Sequence, residues 1–261
     1  MSLMQLLLGG FSGIIVGFIL GLVGGGGSIL AVPLLLYVVG VKDPHLAIGT
    51  ASMAVAANAL TGLSNHARKG NVKWRCGAVF AAAGVVGAAI GSFFGKSIDG
   101  QLLLVLFAAL MLVVATLMLR SRNQQGDPDV ILARANAPAL IGAGTATGLL
   151  SGFFGIGGGF LVVPGLIAAT GMPILFAVGT SLVAVSAFGL TTAVSYASSG
   201  LLSWPLAIAF AVGGFAGSWI GTHSAGKLAQ RRGVLNVTLA ALIVLVAIYM
   251  LYRSASALGW I

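Results

Sequence analysis

Residues 17–33 read GFILGLVGGGGSILAVP, and residues 148–164 read GLLSGFFGIGGGFLVVP. In each stretch several glycines interrupt an apolar run, and a proline follows within a few residues. About 100 residues of the two halves align around these stretches nearly without gaps, so the chain is an internal repeat. The further aligned pairs are Ala47 and Ala177, Gly49 and Gly179, Thr50 and Thr180, Gly70 and Gly200, Trp74 and Trp204, Gly84 and Gly214, Gly87 and Gly217, and Gly91 and Gly221.

The composition is that of a membrane protein. Hydrophobic residues make up 59% of the 261 residues and charged residues only 7%, which is too few charges to cover a soluble surface. Each half contains five apolar segments, and the longer ones reach the length of about 18 residues that crosses a bilayer. We therefore expect a first membrane repeat at residues 1–120, a cytoplasmic linker at 121–137 and a second repeat at 138–261. The segments are 3–23, 28–41, 46–66, 74–95 and 100–119, and then 138–154, 159–171, 174–197, 204–224 and 234–252.

The net charge of +9 does not indicate nucleic-acid binding, because the basic residues lie in short loops where the positive-inside rule explains them. The loop at 67–75 is basic, whereas the matching loop at 198–203 carries no charge. The next loop reverses this pattern: it is basic at 226–232, but holds one lysine and one aspartate at 96–99. The halves are therefore predicted to lie upside down relative to each other, with both termini external. The first three segments of a half could form three spans, or one span and a re-entrant hairpin, and the sequence fits both arrangements equally well.

The glycine breaks form the first candidate binding site. Consecutive glycines break a helix at a cost of about 1 kcal/mol each, and inside lipid the freed backbone groups must be buried or face a cavity. A new helix that begins near Ser28, and another near Gly159, would direct unpaired N–H groups and a positive dipole end at an anion. Close helix packing through small residues is the alternative. The candidate residues are Gly24, Gly25, Gly26, Gly27 and Ser28, and in the second half Gly155, Gly157, Gly158 and Gly159.

The third apolar segment of each half adds polar side chains. In the first half Thr50 and Asn58 fall on one face at helical spacing, and Ser52 lies near the start of the segment. Hydroxyl and amide groups can bind an oxyanion without a full counter-charge, so we expect these three residues, with Thr180 and Ser181, to orient a ligand. Hydrogen bonding between helices is the equal alternative.

Paired, broken segments at corresponding positions of two halves are typical of secondary transporters that bind their substrate at the midplane. The sequence therefore predicts an all-α polytopic integral membrane protein of two inverted-topology repeats, with broken helices around a midplane site. We expect a monomer or homodimer in the inner membrane that binds a small anion. The alternatives are a passive pore, a carrier of another solute, or a serine protease that uses Ser12 of the GxSG motif. The protease would need a histidine partner from another span, and the histidines lie at segment ends.

Charged groups are absent from the predicted spans, so the carboxylate that usually relays protons in a coupled transporter is missing. His45, His66 and His223 lie at segment ends, where an interfacial role is the simpler interpretation. An anion that leaves a cell with a negative interior gains about 2.3 kcal/mol per charge per 100 mV, so export could run without a relay. The chain has one cysteine, Cys76, which excludes an intrachain disulfide, and we expect no cofactor.

The doubled G-x-x-G-x-G-G-G/S…P element, with the matching elements at Gly49–Ser52 and Gly179–Leu182, resembles the TauE/SafE family of sulfite and organosulfonate exporters, also called the toluene-sulfonate uptake permease family. The resemblance runs from Gly9 to Leu251. It implies an inner-membrane carrier for sulfur-containing anions such as sulfite, sulfoacetate or other sulfonates, with a site between the repeats. Members of the family are assigned to both export and uptake, so the resemblance does not fix the direction.

Overall fold

The computed structural model describes residues 2–120, 136–155, 157, 159–228 and 232–259. Within these ranges the chain forms ten α-helices and no strand, which confirms the all-α class. Most of the predicted linker, residues 121–135, lies outside the described residues. The helices are α1 (Leu3–Val23), α2 (Ala31–Tyr37), α3 (Pro44–Arg68), α4 (Trp74–Ser97), α5 (Gly100–Arg120), α6 (Ala137–Phe154), α7 (Gly159–Thr170), α8 (Ile174–Ala197), α9 (Trp204–Leu228) and α10 (Arg232–Ala257), and a 3-10 helix (Gly24–Leu30) precedes α2.

The helices have the length and surface of a membrane bundle. Seven helices of the described chain are long and apolar enough to cross a bilayer: α1, α3, α4, α6, α8, α9 and α10. Large apolar side chains such as Phe11, Phe93 and Phe215 are more than half exposed on their outer faces. Such a surface is unfavourable in water and suited to lipid, so the chain is a multi-pass membrane protein.

Glycines bring α1 against α9 and α6 against α4. A Cβ atom at Gly17 would overlap the backbone of Gly214, and one at Gly148 would overlap the backbone of Gly84. These contacts are reciprocal, because Gly17 aligns with Gly148 and Gly84 with Gly214. The first helix of each half therefore packs on the helix of the fourth segment of the other half through the same small-residue contact.

The third helices of the two halves run antiparallel to each other at the centre of the bundle. A Cβ atom at Gly62 of α3 would lie 3.2 Å from Leu182, near the start of α8. A Cβ atom at Gly189, late in α8, would lie 3.0 Å from the Cβ of Ala56. Residue numbers along α3 therefore rise as those of the contacting residues along α8 fall, so the two helices are antiparallel.

The fourth helices follow the direction of the third helix of the other half. Along α3 and α9, Thr50 contacts Ser203 and Asn58 contacts Gly214, so these two helices are parallel. Along α4 and α8, Gly77 lies beside Thr180 and a Cβ at Gly84 would overlap Phe188, so they are parallel as well.

The chain between α1 and α3 returns along the length of the bundle. Both helices run parallel to α9, since Gly13 and Gly21 of α1 lie beside Phe210 and Ser218 in the same order. The 25 residues of α3 extend about 37 Å, which exceeds the hydrocarbon core of about 30 Å. The 3-10 helix and α2 therefore make the return pass, which favours three passes over a re-entrant hairpin.

Candidate functional site

The second glycine break contains two left-handed residues. Gly155 ends α6 with φ of 64°, and Gly157 has φ of 65°. An L side chain is rarely found in this region, so glycine is required at both positions. The N–H of Gly155 donates to the carbonyl of Ser151 and closes the helix. Gly158 lies outside the described residues, and Gly159, which is buried, begins α7.

Ser52 of the first half holds this break in place. Its Oγ lies 2.5 Å from the carbonyl oxygen of Gly155 and 2.8 Å from that of Ile48, so one hydroxyl proton is shared between two carbonyls. A Cβ atom at Gly155 would overlap the side chain of Ile48, and one at Gly157 would lie 3.1 Å from Val55. The second break is therefore seated directly on α3.

The first break is not a copy of the second. Gly24, Gly25, Gly26, Gly27 and Ser28 all belong to the 3-10 helix, and α2 begins only at Ala31 rather than at the expected Ser28. Glycines weaken the α-helix without forcing a coil, and a 3-10 helix still satisfies the backbone within the segment. A Cβ at Gly27 would press on the backbone of Leu20, so this residue packs tightly on α1.

The two breaks meet inside the protein. The 3-10 helix packs against α7, which begins at the second break, and against α1. Ser28, Ser52, Gly155 and Gly159 are all buried. The candidate site is thus enclosed by protein and lies where segments from both halves cross.

Thr50, Thr180 and Ser181 lie elsewhere on the third helices. The Oγ1 of Thr50 accepts a hydrogen bond of 3.1 Å from the N–H of Ser203, and the Oγ1 of Thr180 accepts one of 2.9 Å from the N–H of Lys73. These bonds are again reciprocal and tie each third helix to the start of the opposite fourth helix. The Oγ of Ser181 donates 2.8 Å to the carbonyl of Val178 within α8. The roles of these hydroxyl groups in ligand binding stay a prediction.

Asn58 faces α9 rather than the breaks. It is 1% exposed, and neither atom of its amide has a hydrogen-bond partner in the described part of the chain. The amide lies flat on Gly214, where a Cβ atom would overlap it. In the other half the equivalent residue is Phe188, which covers Gly84 and stacks on Phe80 at 6.3 Å between ring centroids. The residue that covers the glycine of the fourth helix is therefore polar where α3 meets α9 and aromatic where α8 meets α4.

Polar groups continue along the junction of α1, α3 and α9 toward the end of α3. The Nε2 of His66 lies 3.4 Å from the carbonyl of Gly21, and the Nζ of Lys69 donates 2.9 Å to the carbonyl of Thr222. His66, expected at an interface, is 2% exposed and so is buried in the last turn of α3. Among the described residues of α1, α3 and α9, several buried side-chain atoms have no hydrogen-bond partner; they belong to Ser12, Asn58, Asn65, His66 and Ser218.

The geometry does not supply a protease or metal centre in the described residues. The buried Oγ of Ser12 has no hydrogen-bond partner there, so it lacks the base that a nucleophile requires. His45 and His223 contact the carbonyls of Ile98 and Trp219 at 3.1 and 2.8 Å. The same residues contain no group of three His, Cys, Asp or Glu side chains that could hold a metal ion.

A multi-pass helical bundle whose two halves enclose crossed, glycine-broken segments defines a membrane transporter. The family described as Sulfite exporter TauE/SafE matches residues 9–250, so the chain belongs to that family. It is 49% identical over 253 residues to a "Probable membrane transporter protein" of Xylella fastidiosa (strain 9a5c), which covers 95% of both chains. It is 28% identical to the "Probable membrane transporter protein YdhB" of Bacillus subtilis (strain 168), over 79% of this chain and 85% of that one. No solved structure matches the chain.

Proposed function

We propose that this protein exports small sulfur-containing oxyanions, such as sulfite, sulfoacetate or other sulfonates, across the inner membrane by alternating access. The observation that carries the proposal is the buried crossing of the two glycine breaks, where Ser52 of one half holds the Gly155 carbonyl of the other. The family description supports sulfite and related anions as the substrate class.

At this crossing an anion would interact with dipoles rather than with fully charged groups. The first N–H groups of α7 have no partner within their own helix, and the positive end of the helix dipole lies at Gly159. Sulfate and phosphate oxyanions bind at helix starts for this reason, and the bond from Ser52 to Gly155 fixes the position of the break from which this helix starts. An uncharged site binds and releases an anion without a buried counter-charge, which suits a carrier.

The two halves are proposed to lie inverted in the bilayer. The antiparallel course of α3 and α8 supports this arrangement, because these helices occupy equivalent positions in the repeat. The basic loop between α3 and α4 is assigned to the cytoplasm by the positive-inside rule, which leaves both termini external. The polar junction of α1, α3 and α9 then leads from Asn58 toward the cytoplasmic end at Lys69, and we assign the cytoplasmic access path to it.

The enclosed site favours a carrier over a passive pore. Ser28 and Ser52, the two hydroxyl-bearing residues at the crossing, are both 0% exposed. A pore needs a continuous open path, whereas an alternating-access carrier passes through a state closed on both sides. The burial of Ser28 and Ser52 supports a carrier of this kind.

Flux measurements with the purified protein in liposomes test the proposal. We expect labelled sulfoacetate to leave the vesicles with saturable kinetics, to exchange with unlabelled sulfoacetate outside, and to accelerate when the interior is made negative. The electrical gain is about 2.3 kcal/mol per charge at 100 mV, so the acceleration is measurable. Linear, non-saturating flux would indicate a pore, and flux that follows a pH gradient but ignores the potential would contradict uncoupled export.

Asn58→Leu separates a role in transport from a role in packing. Leucine has a similar volume and no polar atoms, so it removes a buried amide that has no partner in the described chain. We expect the melting temperature to stay level or rise, because an unsatisfied polar group is lost, while sulfoacetate flux falls at least about tenfold. The control is Thr61→Val on the same helix, whose hydroxyl donates to the carbonyl of Ala57 within that helix. Unchanged flux in Asn58→Leu would show that Asn58 is not part of the access path.

A further inference from the structure

A cavity lies at the end of the bundle where α3 begins. It has a volume of about 600 Å³ and is formed by the α2–α3 loop, the start of α5 and the end of α10. Two cations, Lys42 and Arg253, line it together with the side chains of Tyr37, Tyr252 and Gln101. The cavity therefore combines positive charge with aromatic walls.

The nearby carboxylates do not neutralise these cations. The Oδ1 of Asp43 accepts from the N–H of His45 at 2.8 Å, and so caps the start of α3. The Oδ1 of Asp99 accepts from the N–H of Gln101 at 2.9 Å and caps α5 in the same way. Capping directs both carboxylates at helix N-termini. In the described part of the chain no ion pair joins Lys42 or Arg253 to a carboxylate, so the cavity keeps its positive charge.

Membrane topology does not explain the two cations. The cavity includes Pro44, the first residue of α3, whereas the basic loop at 68–75 lies at the other end of that helix. The positive-inside rule predicts an excess of cations at the cytoplasmic end of a bundle, whereas these two lie at the opposite end. Lys96 also belongs to this end, but its Nζ donates to the carbonyl of Ser195 at 2.9 Å and to the Oγ of Ser199 at 3.0 Å.

We propose that this cavity binds a small organic anion from the solution, with its oxyanion group between Lys42 and Arg253 and its apolar body against Tyr37 and Tyr252. Paired cations give charge-assisted hydrogen bonds to an oxyanion, and the aromatic walls cover the remainder of the ligand. Helix α2 connects the first break to Tyr37 at the cavity. The cavity is thus a second anion site at the end of the segment that leads to the midplane site, and under the proposed topology it faces the outside.

Binding measurements on the full chain test the second site. The probe is benzenesulfonate, and the neutral comparison is benzenesulfonamide, both titrated by calorimetry into protein in an uncharged detergent. We expect benzenesulfonate to bind and the sulfonamide not to bind, with affinity that falls as salt rises. The double variant Lys42→Gln with Arg253→Gln should weaken binding at least about tenfold, the loss expected for a charge-assisted contact. Lys96→Gln, at the same end of the bundle, should bind as the wild type does.

Three results would overturn the proposal: equal binding by the double variant, an equal loss in Lys96→Gln, or equal binding of the sulfonamide. A lipid headgroup is tested separately in phosphatidylcholine nanodiscs with and without phosphatidylglycerol. Displacement of benzenesulfonate by phosphatidylglycerol would assign the cavity to lipid instead. Sulfoacetate flux in liposomes tests the midplane site separately. If the double variant loses benzenesulfonate binding but the wild type shows no flux, the cavity site is supported and the proposed export is contradicted.

Discussion

Gly148→Ala is expected to lower the free energy of unfolding by about 3 kcal/mol, because it forces apart the helices that join the two halves. A Cβ atom at Gly148 of α6 would overlap the carbonyl oxygen, the carbonyl carbon and the Cα of Gly84 in α4. These are backbone atoms, so no side chain can rotate away and one helix must shift. The measurement is the thermal melting curve of the purified protein in detergent, followed by size-exclusion chromatography to detect aggregation.

Gly142→Ala is the matched control, since Gly142 lies on the same helix. No heavy atom outside its own turn of helix lies within 4 Å of a Cβ atom added there. We therefore expect a melting temperature equal to or slightly above that of the wild type, because alanine favours the helix by about 1 kcal/mol over glycine. Equal destabilisation by both variants would show that glycine content, rather than the α4–α6 contact, matters.

The equivalent contact in the other half provides a second check on the same argument. Gly17 of α1 approaches the backbone of Gly214 in α9 as Gly148 approaches Gly84. Gly17→Ala is therefore expected to destabilise the protein to a similar extent, by about 3 kcal/mol. A large difference between Gly17→Ala and Gly148→Ala in melting temperature would mean that the reciprocal contacts are unequal in energy.

The helix boundaries could be predicted from the sequence because apolar length and loop chemistry are local signals. The third segment was expected at 46–66 and forms α3 at Pro44–Arg68, with Asp43 as the N-cap. The fourth segments begin at Trp74 and Trp204, as expected. Gly87, Gly91 and Gly95 follow each other at the small-xxx-small spacing that favours close packing of membrane helices, and all three approach the backbone of α6.

The form of the first break could not be predicted, because four successive glycines permit several backbone conformations at similar cost. Packing of Gly27 on Leu20 accompanies the 3-10 conformation, and the sequence does not say in which direction the glycine run turns back on α1. In the second break Ile156 replaces one glycine of the run, and the structure instead places left-handed glycines at 155 and 157.

The sequence also could not predict which neighbouring segment contacts each face of α3. Helical spacing places Thr50 and Asn58 on one face and Ser52 on another, but it does not say which helix covers each face. The structure turns the first face to α9 and brings Ser52 to the second break. The contact between Ser52 and Gly155 therefore had no signal in a single sequence, since its two residues occupy non-equivalent positions in the repeat.

Ser52→Ala is expected to reduce sulfoacetate flux at least about tenfold while the protein remains folded. The substitution removes the side-chain hydrogen bond from Ser52 to the carbonyl of Gly155, at a cost of about 1–2 kcal/mol. The break then loses its fixed position on α3, and the first N–H groups of α7 no longer point at one place. The measurement is the initial rate of flux in liposomes, normalised to the amount of reconstituted protein.

Ser186→Ala in α8 is the control for this effect. Ser186 is also buried, but its Oγ donates 2.7 Å to the carbonyl of Leu182 within its own helix, so its removal leaves the break untouched. We expect near wild-type flux from Ser186→Ala and a melting temperature close to that of Ser52→Ala. If both variants lose flux equally, the loss reflects a general weakening of the core. If Ser52→Ala transports normally, the Gly155 tether has no part in binding, and the oxyanion site must be sought along the junction of α1, α3 and α9.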